Sequence, residues 1–112
     1  LYANGNATMD LIYVDDVVKA IKLGIELVDS AKGCIFNICS EQNITLKKLC
    51  SIVQREFKLK ENPNFGKRPN HTWDLKHWYG NSSKAKKVLG WEPTVSLGTY
   101  FAQEFKKVVK HK

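Results

Sequence analysis

Arginine is scarce in this chain. Only Arg55 and Arg68 accompany sixteen lysines, and the net charge is +7 over 112 residues. Proteins that read nucleic acid usually depend on the planar, forked guanidinium group. Many of the lysines fall at positions that predict helix exteriors, in clusters at 47–48, 84–87 and 106–110. We therefore expect solvated helix surfaces and no nucleic-acid partner, and a small basic nucleic-acid-binding module remains only as an alternative.

The chain also has few cysteines and no long apolar run. Its three cysteines, Cys34, Cys39 and Cys50, are odd in number and lack the spacing of a metal site. We expect them to be small buried residues in a reducing cytoplasm. No apolar run approaches the length of a membrane span, so we expect no membrane partner. Without a glycine-rich phosphate loop or a metal cluster, we expect neither a cofactor nor a metal to bind this chain itself.

The length and the apolar pattern predict one small α/β domain over residues 1–112. The run 11–14 predicts a strand that leads into a helix capped by Asp15 or Asp16. The apolar run 34–38 predicts a second strand. In total we expect about four helices and a few short strands, too few for a complete doubly wound sheet.

Three further helices are indicated by their end signals. Thr45 is expected to cap the first of them. Ser82 or Ser83 is expected to cap the second, which Gly90 ends in a left-handed conformation. Ser96 is expected to cap the last helix. The long stretch 58–80 has no helical period, and loops of that length in compact domains are usually functional or disordered.

Two neighbouring carboxylates, Asp15 and Asp16, resemble an acidic catalytic pair. Their position at a strand-to-helix junction instead favours capping and stabilisation of the helix dipole. Ser82 and Ser83 lack a neighbouring base, so capping is the favoured role there as well. We therefore assign no catalytic residue to this chain.

The 66–81 segment concentrates the residues that could bind a charged ligand. Arg68 stands in a loop, where binding residues concentrate, and its guanidinium suits a diphosphate. Asp74 could accept hydrogen bonds from ribose or sugar hydroxyls, and His71 could lie near a phosphate. Each has a plainer alternative: a surface salt bridge for Arg68, bonds within its own loop for Asp74 and a structural role for His71.

Three aromatic residues in the same segment, Trp73, Trp78 and Tyr79, could stack on a base or a sugar. Packing beneath the loop is the favoured interpretation. The two histidines of this segment, His71 and His77, are six residues apart without a third ligand, so a zinc site is not expected.

Four motifs resemble the carboxyl-terminal part of the NAD-dependent epimerase/dehydratase family, the extended short-chain dehydrogenases that modify nucleotide sugars. That family shows an Arg-Asp-aromatic strand–helix junction ending in Val-x-Asp, a Phe/Tyr-Asn-Ile/Leu-Gly strand, an Arg-Pro loop and a Ser/Thr-Lys-Ala…Leu-Gly-Trp-x-Pro signature. The corresponding positions here are Asp10–Asp16, Phe36–Cys39, Lys67–Asp74 and Ser83–Pro93. The last of these motifs is the most specific.

The chain departs from the family pattern at three places. Met9 replaces the junction arginine that meets the diphosphate in many relatives. The loop that begins at Arg68 is longer than the common Arg-Pro-x-Gly-Asp form, so either Arg68 or His71 could take the arginine's place. Asn81 stands where relatives usually have Asp, although its amide can still cap a helix.

The resemblance implies a substrate-binding domain whose NAD or NADP is bound by a separate amino-terminal Rossmann domain. It implies a nucleotide-diphosphate sugar as ligand, bound through Arg68, Asp74 and His71, and homodimers of the full-length parent. The family's Tyr-x-x-x-Lys pair has no counterpart here, since Tyr13 is followed four positions later by Val17. The chain alone is therefore expected to be inactive, and a non-catalytic nucleotide-sensing relative of the same fold is the main alternative.

Overall fold

The computed structural model describes residues 5–67 and 76–109, and side chains of the last helix as far as Gln103. The described part contains five helices and one two-stranded sheet, which confirms a small α/β fold. In chain order the elements are β1 (Thr8–Asp10), α1 (Val14–Glu26), α2 (Val28–Ala31), β2 (Asn43–Thr45), α3 (Leu46–Phe57), α4 (Ser83–Leu89) and α5 (Leu97–Val109).

The sheet is small and antiparallel. β1 pairs with β2 in the register Thr8 with Thr45, Met9 with Ile44 and Asp10 with Asn43. The predicted strand at 11–14 is wrong, because the paired residues lie just before it and α1 already begins at Val14. A ladder needs a neighbouring strand as well as an apolar run.

The predicted strand at 34–38 is also wrong. Phe36 and Ile38 pack against the core, but the segment forms no ladder with another described residue. A short apolar run thus identified a segment that contributes to the core without showing what its backbone pairs with.

The main core lies between α1, α4 and Trp91, two residues after the end of α4. Trp91 and Ala85 are fully buried, and Ala20 and Leu89 are nearly so. Partly buried apolar residues complete this core, namely Ile12, Leu23, Ala31, Phe36, Ile38 and Val88. On the other side, α5 packs against α3, with the rings of Phe57 and Phe101 in an edge-on arrangement 6.5 Å apart.

Three of the predicted helix ends are confirmed. The hydroxyl of Thr45 accepts a bond of 3.1 Å from the backbone N–H of Lys48 at the start of α3. Gly90 ends α4 with a φ of 63°, the left-handed conformation that glycine adopts without strain. The hydroxyl of Ser96 accepts from the N–H of Thr99 at the start of α5.

The cap of α4 differs from the expectation. Ser82 is in the cap position, but its hydroxyl donates to Glu41 and does not cap the helix. The side-chain oxygen of Asn81 accepts instead from the N–H of Ser83 at 2.8 Å. The amide of Asn81 therefore does bond to the first turn, as its retained polar group suggested.

Asp16 is not a helix cap. Tyr13 precedes α1 in an extended conformation and no side chain caps the helix. Asp16 is instead 2% exposed, and its carboxylate accepts bonds from the Thr94 hydroxyl (2.6 Å), the Thr94 N–H (2.9 Å) and the Val95 N–H (3.0 Å). The indole N–H of Trp91 donates to the backbone oxygen of the same residue at 2.8 Å. Asp16 therefore fastens α1 to the segment that leads into α5.

The ionisation of Asp16 follows from these contacts. Burial alone would raise the pKa of the carboxyl group, but bonds from Thr94 and Val95, with Lys19 nearby, lower it on balance. The charged form is therefore the one that the fold stabilises.

The cysteines are free but not uniformly buried. Cys39 is buried, Cys50 is partly buried and Cys34 is exposed, so the expectation for Cys34 is wrong. Gly80 lies against Cys39: a Cβ at position 80 would stand 2.7 Å from the sulfur and 2.9 Å from the Cβ of Cys39. A side chain at position 80 would therefore collide with Cys39, and glycine leaves room for the thiol.

Within the described residues, no helix is both long and apolar enough to span a membrane.

Replacing Asp16 tests the bond between α1 and the 94–95 segment. Asp16→Asn replaces a charged acceptor by a neutral amide, whose oxygen can still face the two backbone N–H groups while its NH2 meets the Thr94 hydroxyl. Because charge-assisted bonds are lost, we expect a decrease of about 1–2 kcal/mol in the free energy of unfolding at pH 7. Because the folded-state pKa is lowered, wild type keeps its advantage above about pH 4 and loses it as the pH falls. Urea unfolding at pH 7 and pH 3 measures both.

Asp15→Asn is the matched control for this substitution. Asp15 is exposed in the first turn of α1, where only its effect on the helix dipole, under about 1 kcal/mol, is lost. Equal destabilisation by Asp16→Asn at both pH values would contradict an ionised, bonded carboxylate.

The Cys39–Gly80 contact predicts a coupled pair. Gly80→Ala should lower the free energy of unfolding by about 1–3 kcal/mol, because the new methyl group would collide with the Cβ and the sulfur of Cys39. In a Cys39→Gly background the same substitution should cost less, with a coupling of about 1 kcal/mol or more in a double-mutant cycle. Gly98→Ala serves as control, since its nearest neighbour would be 3.9 Å away. Additive effects in the cycle would refute the coupling.

Candidate functional site

The three residues that the sequence nominates for ligand binding, Arg68, His71 and Asp74, lie outside the described residues. Their placement relative to one another therefore stays a prediction. The structure does describe both ends of the 66–81 segment, through Lys67 on one side and from Lys76 on the other, and both lysines are exposed.

Both ends of the 66–81 segment are attached to residues 5–10. Before the segment, the ring of Phe65 lies against Gly5, where a Cβ would come within 2.7 Å of the ring. Gly5 has a φ of 79°, so a side chain there is excluded by conformation as well as by space. On the other side of residues 68–75, which lie outside the described part, the N–H of Thr8 donates to the backbone oxygen of Lys76 (2.9 Å). The N–H of Trp78 in turn donates to the backbone oxygen of Thr8 (3.0 Å). The 5–10 strand region thus fixes where the segment leaves and returns.

The side chain of His77 strengthens the return point. Its Nδ1 lies 3.1 Å from the hydroxyl of Thr8, and the two residues form a parallel bridge. This contact gives His77 a structural partner on β1.

Asp10 accepts hydrogen bonds from two separate parts of the chain, residues 40–41 and residue 80. Its carboxylate accepts bonds from the N–H (2.7 Å) and hydroxyl (2.6 Å) of Ser40, the N–H of Glu41 (3.1 Å) and the N–H of Gly80 (3.2 Å). Burial favours a higher pKa for Asp10, but the bonds from Ser40, Gly80 and Glu41 outweigh it and the pKa is lowered. We call these four residues the Asp10 cluster.

Glu41 extends the Asp10 cluster to α4. Its carboxylate accepts from the N–H (2.6 Å) and hydroxyl (2.8 Å) of Ser82, and these bonds lower its pKa. Its backbone is left-handed, with a φ of 58°, which is uncommon for a residue with a side chain. The carboxylates of Asp10 and Glu41 therefore connect the polar loop at 40–42 to Gly80, near the end of the 66–81 segment, and to Ser82, at the start of α4.

The aromatic residues of the segment are more exposed than expected. Trp78 and Tyr79 are 58% and 71% exposed, so the prediction that they pack beneath the loop is wrong for these two. Trp73 lies outside the described residues. Both residues shortly precede Gly80 in the chain, and their exposed rings are surfaces on which a planar group could stack.

The site offers carboxylates, hydroxyls and exposed lysines, but no obvious metal centre. Among the described residues, no group of three histidine, cysteine, aspartate or glutamate side chains could hold a metal ion. Met9, in place of the family's arginine, lies partly buried in β1 and brings no cation to this point. Among the described lysines, Lys86 of α4 interacts electrostatically with Glu41 of the cluster.

Sequence reasoning missed the organising role of Asp10, Ser40 and Glu41. The available signal was the polar loop after the apolar run at 34–38, together with a lone carboxylate just before the run at 11–14. Neither shows that the two meet, because they are 30 residues apart in the chain.

Known proteins with similar sequences act on nucleotide sugars. The chain is 26% identical over 107 residues to UDP-glucuronate 4-epimerase 4 of Arabidopsis thaliana, covering 86% of this chain and 24% of that protein. It is 38% identical over 89 residues to the dTDP-4-dehydro-6-deoxyglucose reductase of Escherichia coli, covering 79% and 27%. No family model matches the chain.

The fold is shared with a solved enzyme of the same kind. UDP-glucuronic acid 4-epimerase from Bacillus cereus, in complex with UDP-glucuronic acid and NAD, superposes with a TM-score of 0.86 at 21% identity. It covers 100% of this chain, whereas this chain covers 35% of that enzyme. The chain thus spans about a quarter to a third of the length of these similar proteins. In sequence and fold the chain is similar to the carboxyl-terminal part of nucleotide-sugar epimerases and dehydratases, the extended short-chain dehydrogenases.

Proposed function

We propose that residues 1–112 form the domain that binds the nucleotide-sugar substrate of an NAD(P)-dependent epimerase or dehydratase. The observation that carries the proposal is the similarity to nucleotide-sugar enzymes over most of the chain, at 26–38% identity. The Bacillus cereus neighbour, with a UDP-sugar and NAD both bound, supports a substrate of this class and a nicotinamide cofactor.

The 66–81 segment is the proposed ligand-binding element. Its two ends are attached to the same short stretch, because Phe65 packs on Gly5 while Trp78 and Gly80 bond to Thr8 and Asp10. A loop with both ends fixed loses less conformational freedom when it binds, so less of the binding free energy is lost to ordering.

Within this segment the roles follow from chemistry. Arg68 would bind the diphosphate, since guanidinium forms paired, charge-assisted bonds to phosphate oxygens. Asp74 would accept from ribose or sugar hydroxyls, and His71 would lie near the phosphates. The exposed Lys67 and Lys76 at the two ends add positive charge to the surroundings.

The redox step belongs, on this proposal, to an amino-terminal domain that binds NAD or NADP and supplies the Tyr-x-x-x-Lys pair. The 112-residue chain alone then has no catalytic activity. The three free cysteines fit the proposed location in a reducing cytoplasm.

Titration with UDP-glucuronic acid tests the proposal. Backbone amides of Lys67 and of residues 76–81 should shift in NMR spectra on addition of the nucleotide sugar, and UDP should give a similar but weaker response. We expect low affinity, because part of the binding pocket lies outside this chain. Arg68→Ala should raise the Kd about tenfold, the effect of about 1.4 kcal/mol from a charge-assisted contact.

The second arginine supplies a matched control. Arg55 is exposed on α3 and pairs with Glu56 at 2.9 Å, so Arg55→Ala removes the same charge at a distance from the segment. Its Kd should stay within about twofold of wild type at physiological salt, because screening leaves little long-range effect. Equal weakening by both substitutions, or shifts spread over the whole surface, would contradict the proposed site.

A further inference from the structure

Residues 76–78 lie beside β1, on the side away from β2. The N–H of Thr8 donates to the backbone oxygen of Lys76 (2.9 Å), and the N–H of Trp78 donates to the backbone oxygen of Thr8 (3.0 Å). These two bonds form the parallel bridge between Thr8 and His77. β1 is therefore the central one of three adjacent extended segments, and its residues have a neighbour on each side.

The side chains of these three segments divide between two faces. Side chains alternate along a strand, and paired residues on neighbouring strands lie on the same face. The 3.1 Å contact between the Thr8 hydroxyl and Nδ1 of His77 identifies the first face. Asp10 is two residues after Thr8 and belongs to the same face, where it accepts the bonds of the Asp10 cluster. Bonds within the chain therefore occupy this face.

The second face is different in composition. It contains Met9 with its β2 partner Ile44, and also Lys76 and Trp78, the residues on either side of His77. We call it the Met9 face. Met9 and Ile44 are partly buried, whereas Lys76 is exposed and Trp78 is 58% exposed. Among the described residues, Lys76 has no ion-pair partner and is the one cation that the register places on this face.

The proposed ligand carries most of its negative charge on the diphosphate. A phosphate held against a protein surface is stabilised by a cation that contacts it directly, and a lysine ammonium group is suited to this as a point charge. Met9 carries no charge. Lys76 is exposed, and it belongs to the 66–81 segment, the proposed ligand-binding element. A diphosphate that lies on the Met9 face therefore meets the Lys76 ammonium group.

We propose that Lys76 binds the diphosphate of the ligand on the Met9 face. This assignment rests on the proposed function, which makes a nucleotide sugar the ligand, and it adds a second cation to Arg68. The two bonds between Thr8 and residues 76–78 fix the backbone from which the Lys76 side chain extends. Little backbone freedom is then lost when the phosphate binds, so less of the binding free energy is spent on ordering.

Titration of the 112-residue chain with UDP and with UDP-glucuronic acid, followed by NMR, tests the assignment. Lys76→Gln should raise the Kd for both ligands about fivefold to tenfold, because both contain the diphosphate. Lys76→Arg keeps the charge and should stay within about twofold of wild type. Lys22→Gln removes an exposed lysine from α1 and is the control for net charge, with an expected change of less than about twofold.

A second pair of variants tests the face. Met9→Arg adds a guanidinium diagonal to position 76 on the same face, and diagonal neighbours in a sheet lie roughly 7–8 Å apart, within reach of long side chains. It should return the Kd of Lys76→Gln to within about threefold of wild type. His77→Arg adds the same charge one residue from Lys76 but on the Thr8 face, so it should not restore binding. Restoration by both would indicate a general effect of charge and would overturn the proposal.

Thermal unfolding by circular dichroism shows which variants fold. If Met9→Arg does not fold, the comparison of Lys76→Gln with Lys76→Arg and Lys22→Gln decides, because Lys76 is exposed and its replacement leaves the core intact. Equal affinity of Lys76→Gln and Lys76→Arg for UDP would then overturn the proposal.

The outcomes distinguish this assignment from the proposed function. If Arg68→Ala weakens binding while Lys76→Gln behaves as Lys22→Gln, Lys76 does not bind the diphosphate and the proposed function stands. A loss with UDP-glucuronic acid but not with UDP would assign Lys76 to the sugar carboxylate, which also overturns the proposal. Failure of the wild-type chain to bind either ligand would overturn the proposed function and this assignment together.

Discussion

In this fold, buried or half-buried carboxylates accept backbone hydrogen bonds that the strands of a larger sheet would otherwise accept. The described sheet has only two strands of three residues, and the segments 34–42 and 90–96, which have no regular secondary structure, contribute Phe36, Ile38 and Trp91 to the core. Backbone N–H groups near a core must find acceptors. Asp10 supplies them for residues 40, 41 and 80, and Asp16 supplies them for residues 94 and 95. Two side chains thus join segments that are far apart in sequence.

The same chemistry explains why these two carboxylates stay charged. Removing a carboxylate from water raises its pKa, but three or four donors directed at one group reverse the effect. A charge held in this way is expensive to disturb, since losing it leaves several N–H groups without an acceptor. The fold therefore depends on acidic side chains although the chain as a whole is strongly basic.

Local signals in the sequence were enough to place most helix ends. Thr45, Gly90 and Ser96 act within a few residues of themselves, and all three were predicted correctly. The strands were predicted wrongly because pairing depends on a partner elsewhere, which an apolar run does not reveal. The role of Asp16 was missed for the same reason: its partners, Thr94 and Val95, are about eighty residues away in the chain.

The family motifs succeeded where element prediction failed, and the structure gives a physical reason. The junction motif at 10–16 ends at Asp16, and the signature at 83–93 contains Trp91. The indole N–H of Trp91 donates to the backbone oxygen of Asp16, so the two motifs meet in the fold. Residues in direct contact constrain one another, so such motifs specify a tertiary contact that periodicity cannot express. For the proposed ligand residues Arg68, His71 and Asp74, which lie outside the described residues, the sequence gives the chemistry but not the geometry.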